Sequence, residues 1–195
     1  GHYIKECIDS CLSQETSKLN YEVIVIDDGS TDHTPSVLRT IIDVRLRKFR
    51  IENGGIEKAS NFGFENAYGE HVVRVDADDK LYPSFLSSIV PYLEMGYGFI
   101  YSNYAVINAV GEILDGIQLP SFEASEICQR GDFLATGTVY LKSNIMQMGG
   151  YNTEKINSGL ENYQLILELL NLGHIGFHVP LQLFGYRRHG SNLSE

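Results

Sequence analysis

Cationic residues are scarce: Lys and Arg number 15 against 25 Asp and Glu, a net charge of −10. A surface that negative repels polyphosphate chains, which excludes nucleic acid as the main partner. Cysteine is scarcer still, at three, with Cys7 and Cys11 one helical turn apart and Cys128 remote. An odd number so spaced excludes a disulfide framework and makes a poor zinc site. No apolar run approaches the roughly 20 residues of a spanning helix, and the opening residues lack the basic-then-apolar layout of a secretory signal. Reduced thiols without an export signal predict a cytoplasmic protein, where the sequon Asn192-Leu193-Ser194 has no meaning. Repeats and low-complexity stretches are also absent. The 195 residues suffice for one sizeable core, so a single domain over 1–195 is expected, and a chain that opens at Gly1 directly into an amphipathic pattern reads as a piece of a longer one.

What is there alternates. Ile4, Cys7, Ile8, Cys11 and Leu12 follow i, i+3, i+4 spacing and predict a helix over about positions 2 to 13, its cysteines on the buried face. The β-branched run Val23–Ile26 predicts a parallel strand covered on both faces. A helix follows to about Ile42, a strand from Leu46 to Ile51, a helix through Ala67, a strand from His71 to Val75 and a helix from Tyr82-Pro83 to about Glu94. Further on, the pattern predicts a strand at Gly98–Tyr101, a hairpin of Tyr104–Ile107 with Glu112–Leu114, a strand near Thr138–Leu141, a helix over Glu161–Leu172 and a strand-like tail from Ile175 to Tyr186. Gly116–Gly131 shows few periodic apolar positions and reads as a mobile loop. The fold class is α/β, a sheet flanked by helices.

Ligands of open α/β sheets bind beyond the carboxyl ends of strands. Two acidic groups fall there: Asp27-Asp28 after one strand, and Asp76, Asp78 and Asp79 after another. Each alone is ordinary turn and cap chemistry. Together, five mutually repelling carboxylates point to a divalent cation with oxygen ligands and a phosphate-bearing substrate. The cations Arg45, Arg47, Lys48 and Arg50 predict a solvated edge strand, with a grip on an anionic membrane or acidic acceptor as the alternative.

The ordered set Val23-Ile24-Val25-Ile26-Asp27-Asp28-Gly29-Ser30-Thr31-Asp32, Asn53-Gly54-Gly55-Ile56 with Asn61, Val75-Asp76-Ala77-Asp78-Asp79, Glu161-Asn162-Tyr163 and Tyr186-Arg187-Arg188-His189 resembles the family 2 glycosyltransferases. The resemblance runs over nearly the whole chain. It implies a GT-A, Rossmann-like, mostly parallel sheet flanked by helices, with residues 1–103 as the nucleotide-sugar-binding half and 104–195 as the acceptor-side half. It implies an inverting transfer from a nucleotide-diphospho-sugar, UDP-linked by preference, to a hydroxyl of a glycan, lipid-linked or protein acceptor. Asp28, supported by Asp27, would contact the donor's base or ribose, Asp76 its sugar-phosphate side, and Lys58 would supply a basic contact. Asp78 would ligate Mn²⁺ or Mg²⁺, with His189 completing the shell; without the resemblance, His189 reads as a surface-turn histidine.

An inverting transfer needs a carboxylate to take the acceptor proton, and here the sequence departs from the family. The usual Glu-Asp pair is Glu161-Asn162, and an asparagine cannot accept that proton. Glu161 takes the role, or Glu154 does, or the chain is a slow or non-catalytic nucleotide-sugar-binding module. The strand that opens the family's fold does not precede the first helix. That implies upstream residues outside this sequence, through which peripheral attachment to the inner face of a membrane is left open.

Overall fold

The computed structural model describes residues 1–16, 19–131, 134, 136–154, 156–157 and 159–190. The elements run α1 (Ile4–Leu12), β1 (Val23–Asp28), α2 (Thr34–Thr40), β2 (Leu46–Ile51), α3 (Ile56–Asn66), β3 (His71–Val73), β4 (Lys80–Leu81) and α4 (Phe85–Ile89). A 3₁₀ segment follows over Val90–Met95, then β5 (Phe99–Ile107), β6 (Ile113–Ile117), α5 (Ala124–Arg130), β7 (Val139–Leu141), α6 (Lys142–Met148), α7 (Glu161–Asn171) and β8 (Gly176–Arg187).

Helix α2 supplies the crossover that lets β1 and β2 pair in parallel, Val23 beside Leu46 through Asp28 beside Ile51. The larger sheet has the order β3-β7-β5-β8-β4, with β6 also on β5. Strand β5 is its centre and is buried along almost its whole length. Because successive side chains alternate, Phe99 and Tyr101 enter one apolar cluster with α6 and α7, while Ile100 enters another with α4. A third, small cluster joins Ile8 of α1 to Leu38 and Ile41. Helices thus cover both faces of a mixed sheet. Parallel pairing holds for β1·β2 and β5·β8, whereas β3·β7, β4·β8, β5·β6 and β5·β7 are antiparallel. The β5–β6 pair is a hairpin, a connection too short for any other orientation.

The structure corrects several local expectations. The expected loop 116–131 contains α5, anchored by the buried Ile127 and ended at Gly131. Helix α6, anchored by Ile145, and the short β4 were not anticipated. The helix expected to run to Glu94 tightens into the 3₁₀ segment at Pro91, which has no N–H for the α pattern. Tyr101 and Tyr104 lie on one continuous strand rather than two. On β8, Val179 pairs with Ser102 and Gln182 with Asn103, so Pro180 and Leu181 bulge out of a ladder that proline cannot serve. Strand β2 pairs with β1 alone and keeps Lys48 and Arg50 exposed, as an edge strand does, yet its cations are also engaged: Arg47 pairs with Glu22, Lys48 donates to the carbonyls of Leu38 and Ile41, and Arg50 pairs with Asp27. Cys7 is buried and all three thiols are free.

Candidate active site

The first acidic pair closes β1. Asp27 is buried; its Oδ1 accepts from the Ser30 amide at 2.8 Å and its Oδ2 pairs with Arg50 at 2.9 Å. Asp28 reaches across to the turn before α3, where Oδ1 accepts from the Gly54 amide at 2.8 Å and Oδ2 from Gly55 at 2.9 Å. Two glycines make that approach feasible. Gly29 has φ +69° and a Cβ there would stand 2.8 Å from the Asn53 nitrogen, while Gly55, at φ +89°, would drive one to 2.3 Å from Ile156 Cγ2. The alkyl chain of Lys58 lies over Gly54, which brings Lys58 to the same corner as Asp28.

The second acidic group follows β3. Asp78 Oδ2 lies 2.9 Å from Nε2 of His189, two residues beyond β8 and 111 positions away in sequence. Tyr3 stacks on the His189 ring with centroids 5.1 Å apart, and the Arg187 guanidinium sits over the other ring system's partner, Tyr3, at 4.5 Å. Arg187 is fully buried and holds the turn: its backbone N–H donates to Asp79 Oδ1 at 2.8 Å and its Nε–H to the Asp78 carbonyl at 2.6 Å. Among the described residues, Asp79 keeps a buried Oδ2 with no hydrogen-bond partner. Burial, with the charges of Asp76 and Asp78 behind it, pushes its carboxyl up to about 7.

Asp76 is gripped by Arg74, Nε to Oδ1 at 2.8 Å and Nη2 to Oδ2 at 3.1 Å, and the same guanidinium gives Nη1 to Glu161 Oε1 at 2.9 Å. Glu161 opens α7, is buried, and among the described residues retains an Oε2 without a partner. Its neighbour Asn162 accepts the Tyr151 hydroxyl at 2.6 Å. Burial pushes that hydroxyl up to about 12, so Tyr151 stays protonated and remains the donor of this bond.

The two residues expected at a metal therefore meet, and Asp76 and Glu161 are joined through one arginine. Asp27, Asp28 and Lys58 form a separate corner at β1 and α3. Among the described residues no three His, Cys, Asp or Glu side chains converge as a complete metal shell. A carboxylate oxygen and an imidazole nitrogen nonetheless fit a cation that takes its other ligands from phosphate oxygens and water. Sequence reasoning missed Arg74, Arg187, Tyr3 and Tyr151. Arg74 carried a signal, since a charge inside the apolar run Val72-Val73-Arg74-Val75 requires a buried partner.

The chain belongs to glycosyl transferase family 2, whose model matches residues 1–147. It is 27% identical over its whole length to a chondroitin synthase of Pasteurella multocida, covering 20% of that protein. An uncharacterised glycosyltransferase of Haemophilus influenzae is 29% identical over 99% of the chain and 64% of its own length. The chain spans about a fifth of the length of several such relatives. Among solved structures, residues 1–349 of Staphylococcus aureus TarS with UDP-GlcNAc superpose with a TM-score of 0.77 at 20% identity, over 98% of this chain and 57% of that one. The mannosyltransferase PcManGT of Pyrobaculum calidifontis with GDP-Man and Mn²⁺ gives 0.70 at 19% identity, over 94% and 52%. These likenesses establish a glycosyltransferase fold of the GT-A kind, and no described helix is long and apolar enough to cross a membrane.

Proposed function

We propose that this chain transfers a sugar, with inversion, from a nucleotide-diphospho-sugar to an acceptor hydroxyl in glycan or polysaccharide synthesis, using Mn²⁺ or Mg²⁺. The observation that carries the reading is the meeting of Asp78 and His189 at 2.9 Å, on a turn whose Asp76 is tied through Arg74 to Glu161. Residues 1–103 serve the donor and 104–195 the acceptor. Asp78 and His189 would hold the cation, which when bound supplies a Lewis acid for the diphosphate. Asp76 would contact the sugar-phosphate side, and Asp28, supported by Asp27, would serve the base or ribose with Lys58 as a basic contact, Asp28 also shaping the Gly54-Gly55 turn. Glu161 is the base: its Oε2 is buried without a partner, the state a proton acceptor needs before an acceptor hydroxyl arrives. The acceptor oxygen bonds to the anomeric carbon, the bond from that carbon to the diphosphate breaks with its electron pair leaving on the nucleotide, and the acceptor's proton passes to Glu161.

The solved relatives with bound UDP-GlcNAc and GDP-Man support a nucleotide sugar, and we favour UDP. Three free thiols suit the cytoplasm, at the inner face of the membrane where the acceptor is lipid-linked. Melting the protein with UDP, GDP and other nucleoside diphosphates, each with and without Mn²⁺, tests the reading. A ligand at about 100 times its dissociation constant adds ~2.7 kcal/mol, so a metal-dependent shift for one nucleotide is expected. No shift with any of them refutes it. One observation favours a second reading, a nucleotide-sugar-binding module without turnover: Asn162 is locked to Tyr151 and cannot take a proton. A metal-dependent shift without release of nucleoside diphosphate from any nucleotide sugar would select it.

A further inference from the structure

Arg74 joins two carboxylates from opposite halves of the chain. Its fork takes both oxygens of Asp76, and its remaining Nη1 takes one oxygen of Glu161, 87 residues away. Its side chain is 11% exposed. The guanidinium carbon lies 5.7 Å from the Tyr151 ring centroid. Tyr151 is itself fixed from the donor half: Asn61 accepts its backbone N–H at 2.7 Å and donates to its carbonyl at 2.8 Å. The first turn of α7 is therefore held at Glu161 by Arg74 and at Asn162 by Tyr151.

A glutamate at the head of a helix has three side-chain torsions to lose before it can aim at anything. The rigid guanidinium fork removes that freedom at Oε1 and leaves Oε2 as the one oxygen without a partner. The fork is in turn aligned by its two bonds to Asp76. A lysine, one point charge on a flexible stem, cannot satisfy both carboxylates in this way.

We propose that Arg74 is the positioning residue for Glu161, setting the direction of its free oxygen from the frame of Asp76, so that the donor-side carboxylate and the base keep a fixed relation. This rests on the transferase reading. The competing explanation is a buried ion pair that only holds the two halves together; its removal would cost stability without any specific partnership with Glu161.

A double-mutant cycle separates the two. The probes are UDP-GlcNAc, GDP-mannose and other nucleotide sugars with Mn²⁺, read as release of nucleoside diphosphate by the full chain, with kcat and KM for wild type, Arg74→Gln, Arg74→Lys, Glu161→Gln and the double variant Arg74→Gln/Glu161→Gln. Misplacing a reacting group by about 1 Å costs on the order of 100-fold, and a loss of that size in kcat is expected for Arg74→Gln, with KM moving less than about threefold. In the Glu161→Gln background the same change should cost less than about threefold, because the residue it positions is already disabled. Arg74→Lys should restore part of kcat. If Arg74→Gln multiplies the Glu161→Gln loss in full, or acts on KM alone, the proposal is overturned while the transferase reading stands. If Arg74→Gln does not fold, Arg74→Lys, which keeps the charge, carries the same cycle. A wild type that releases no nucleoside diphosphate from any donor overturns the transferase reading and this proposal together.

Discussion

The two acidic groups look alike in sequence and differ in how their oxygens are spent. At β1, both oxygens of Asp27 and both of Asp28 accept a hydrogen bond or ion pair from the protein. After β3, Asp79 Oδ2 is buried without a partner, as is Glu161 Oε2, which Arg74 links to Asp76. Buried polar atoms are nearly always satisfied in folded proteins, so the exceptions mark places where the fold is completed by something else. On the proposed function, the first group supports the nucleotide corner and the second carries the metal and the base. Substitutions should divide the same way, with lost stability at β1 and lost chemistry after β3.

The largest effect is expected from Asp78→Ala. Its side chain is partly exposed and its Oδ2 meets His189, so the ligand-free melting temperature should change by only about 2 °C, in the range of a partly exposed polar contact. The Mn²⁺-dependent shift with a nucleoside diphosphate should disappear. A variant that keeps the full shift would return Asp78 and His189 to the status of a surface hydrogen bond. Next is Glu161→Gln, which keeps the acceptor for Arg74 but cannot take a proton. A fall in kcat of about 10²–10⁴-fold is expected, the usual contribution of a general base, with the melting temperature close to wild type. Full activity in that variant would pass the role to another carboxylate, Glu154 first.

Asp28→Ala reverses the pattern. Two charge-assisted hydrogen bonds to the Gly54 and Gly55 amides go at once, at ~1.5 kcal/mol or more each, for a loss of about 3 kcal/mol. In a domain of this size that is roughly 6–12 °C of melting temperature without any ligand present. A neutral result by thermal denaturation would mean that the Gly54-Gly55 turn holds itself, and Asp28 would then belong with the second group.

This division was legible in the sequence only in part. Val23–Ile26 and Val72–Val73 announce themselves as β-branched runs, although Val23–Ile26 are only half-buried, and the acidic residues that follow locate the strand ends. Helices α5 and α6 were not legible: each has seven residues and one fully buried anchor, Ile127 or Ile145, and one anchor defines no period. The continuity of β5 was hidden by Ser102 and Asn103, polar residues that are buried there; Asn103 Oδ1 accepts the Leu119 amide and lies 2.8 Å from His178 Nε2. Nothing in composition or spacing places His189 on Asp78; that pairing came from the family resemblance and depends on β8 running back beside β5. The difference between satisfied and unsatisfied carboxylates was invisible for the same reason, since Asp28 and Asp79 differ only in which distant backbone amides reach them.

The last expected effect is confined to one pH range and tests the comparison without any ligand. Asp79 has its carboxyl pushed up to about 7, first by burial and then by the Asp76 and Asp78 charges. In the unfolded chain an aspartate titrates near about 4, so between there and about 7 the folded protein binds more protons than the unfolded one. Stability should accordingly fall as pH rises through that window and level off above it, the opposite of an aspartate held by cations. In EDTA, the melting temperature of Asp79→Asn should match wild type near pH 4 and exceed it at pH 8, because the amide carries no charge into the buried site. Parallel melting curves for Asp79→Asn and wild type across the whole range would mean that Asp79 is as well compensated as Asp27. The distinction between the two strand ends would then rest on Glu161 alone.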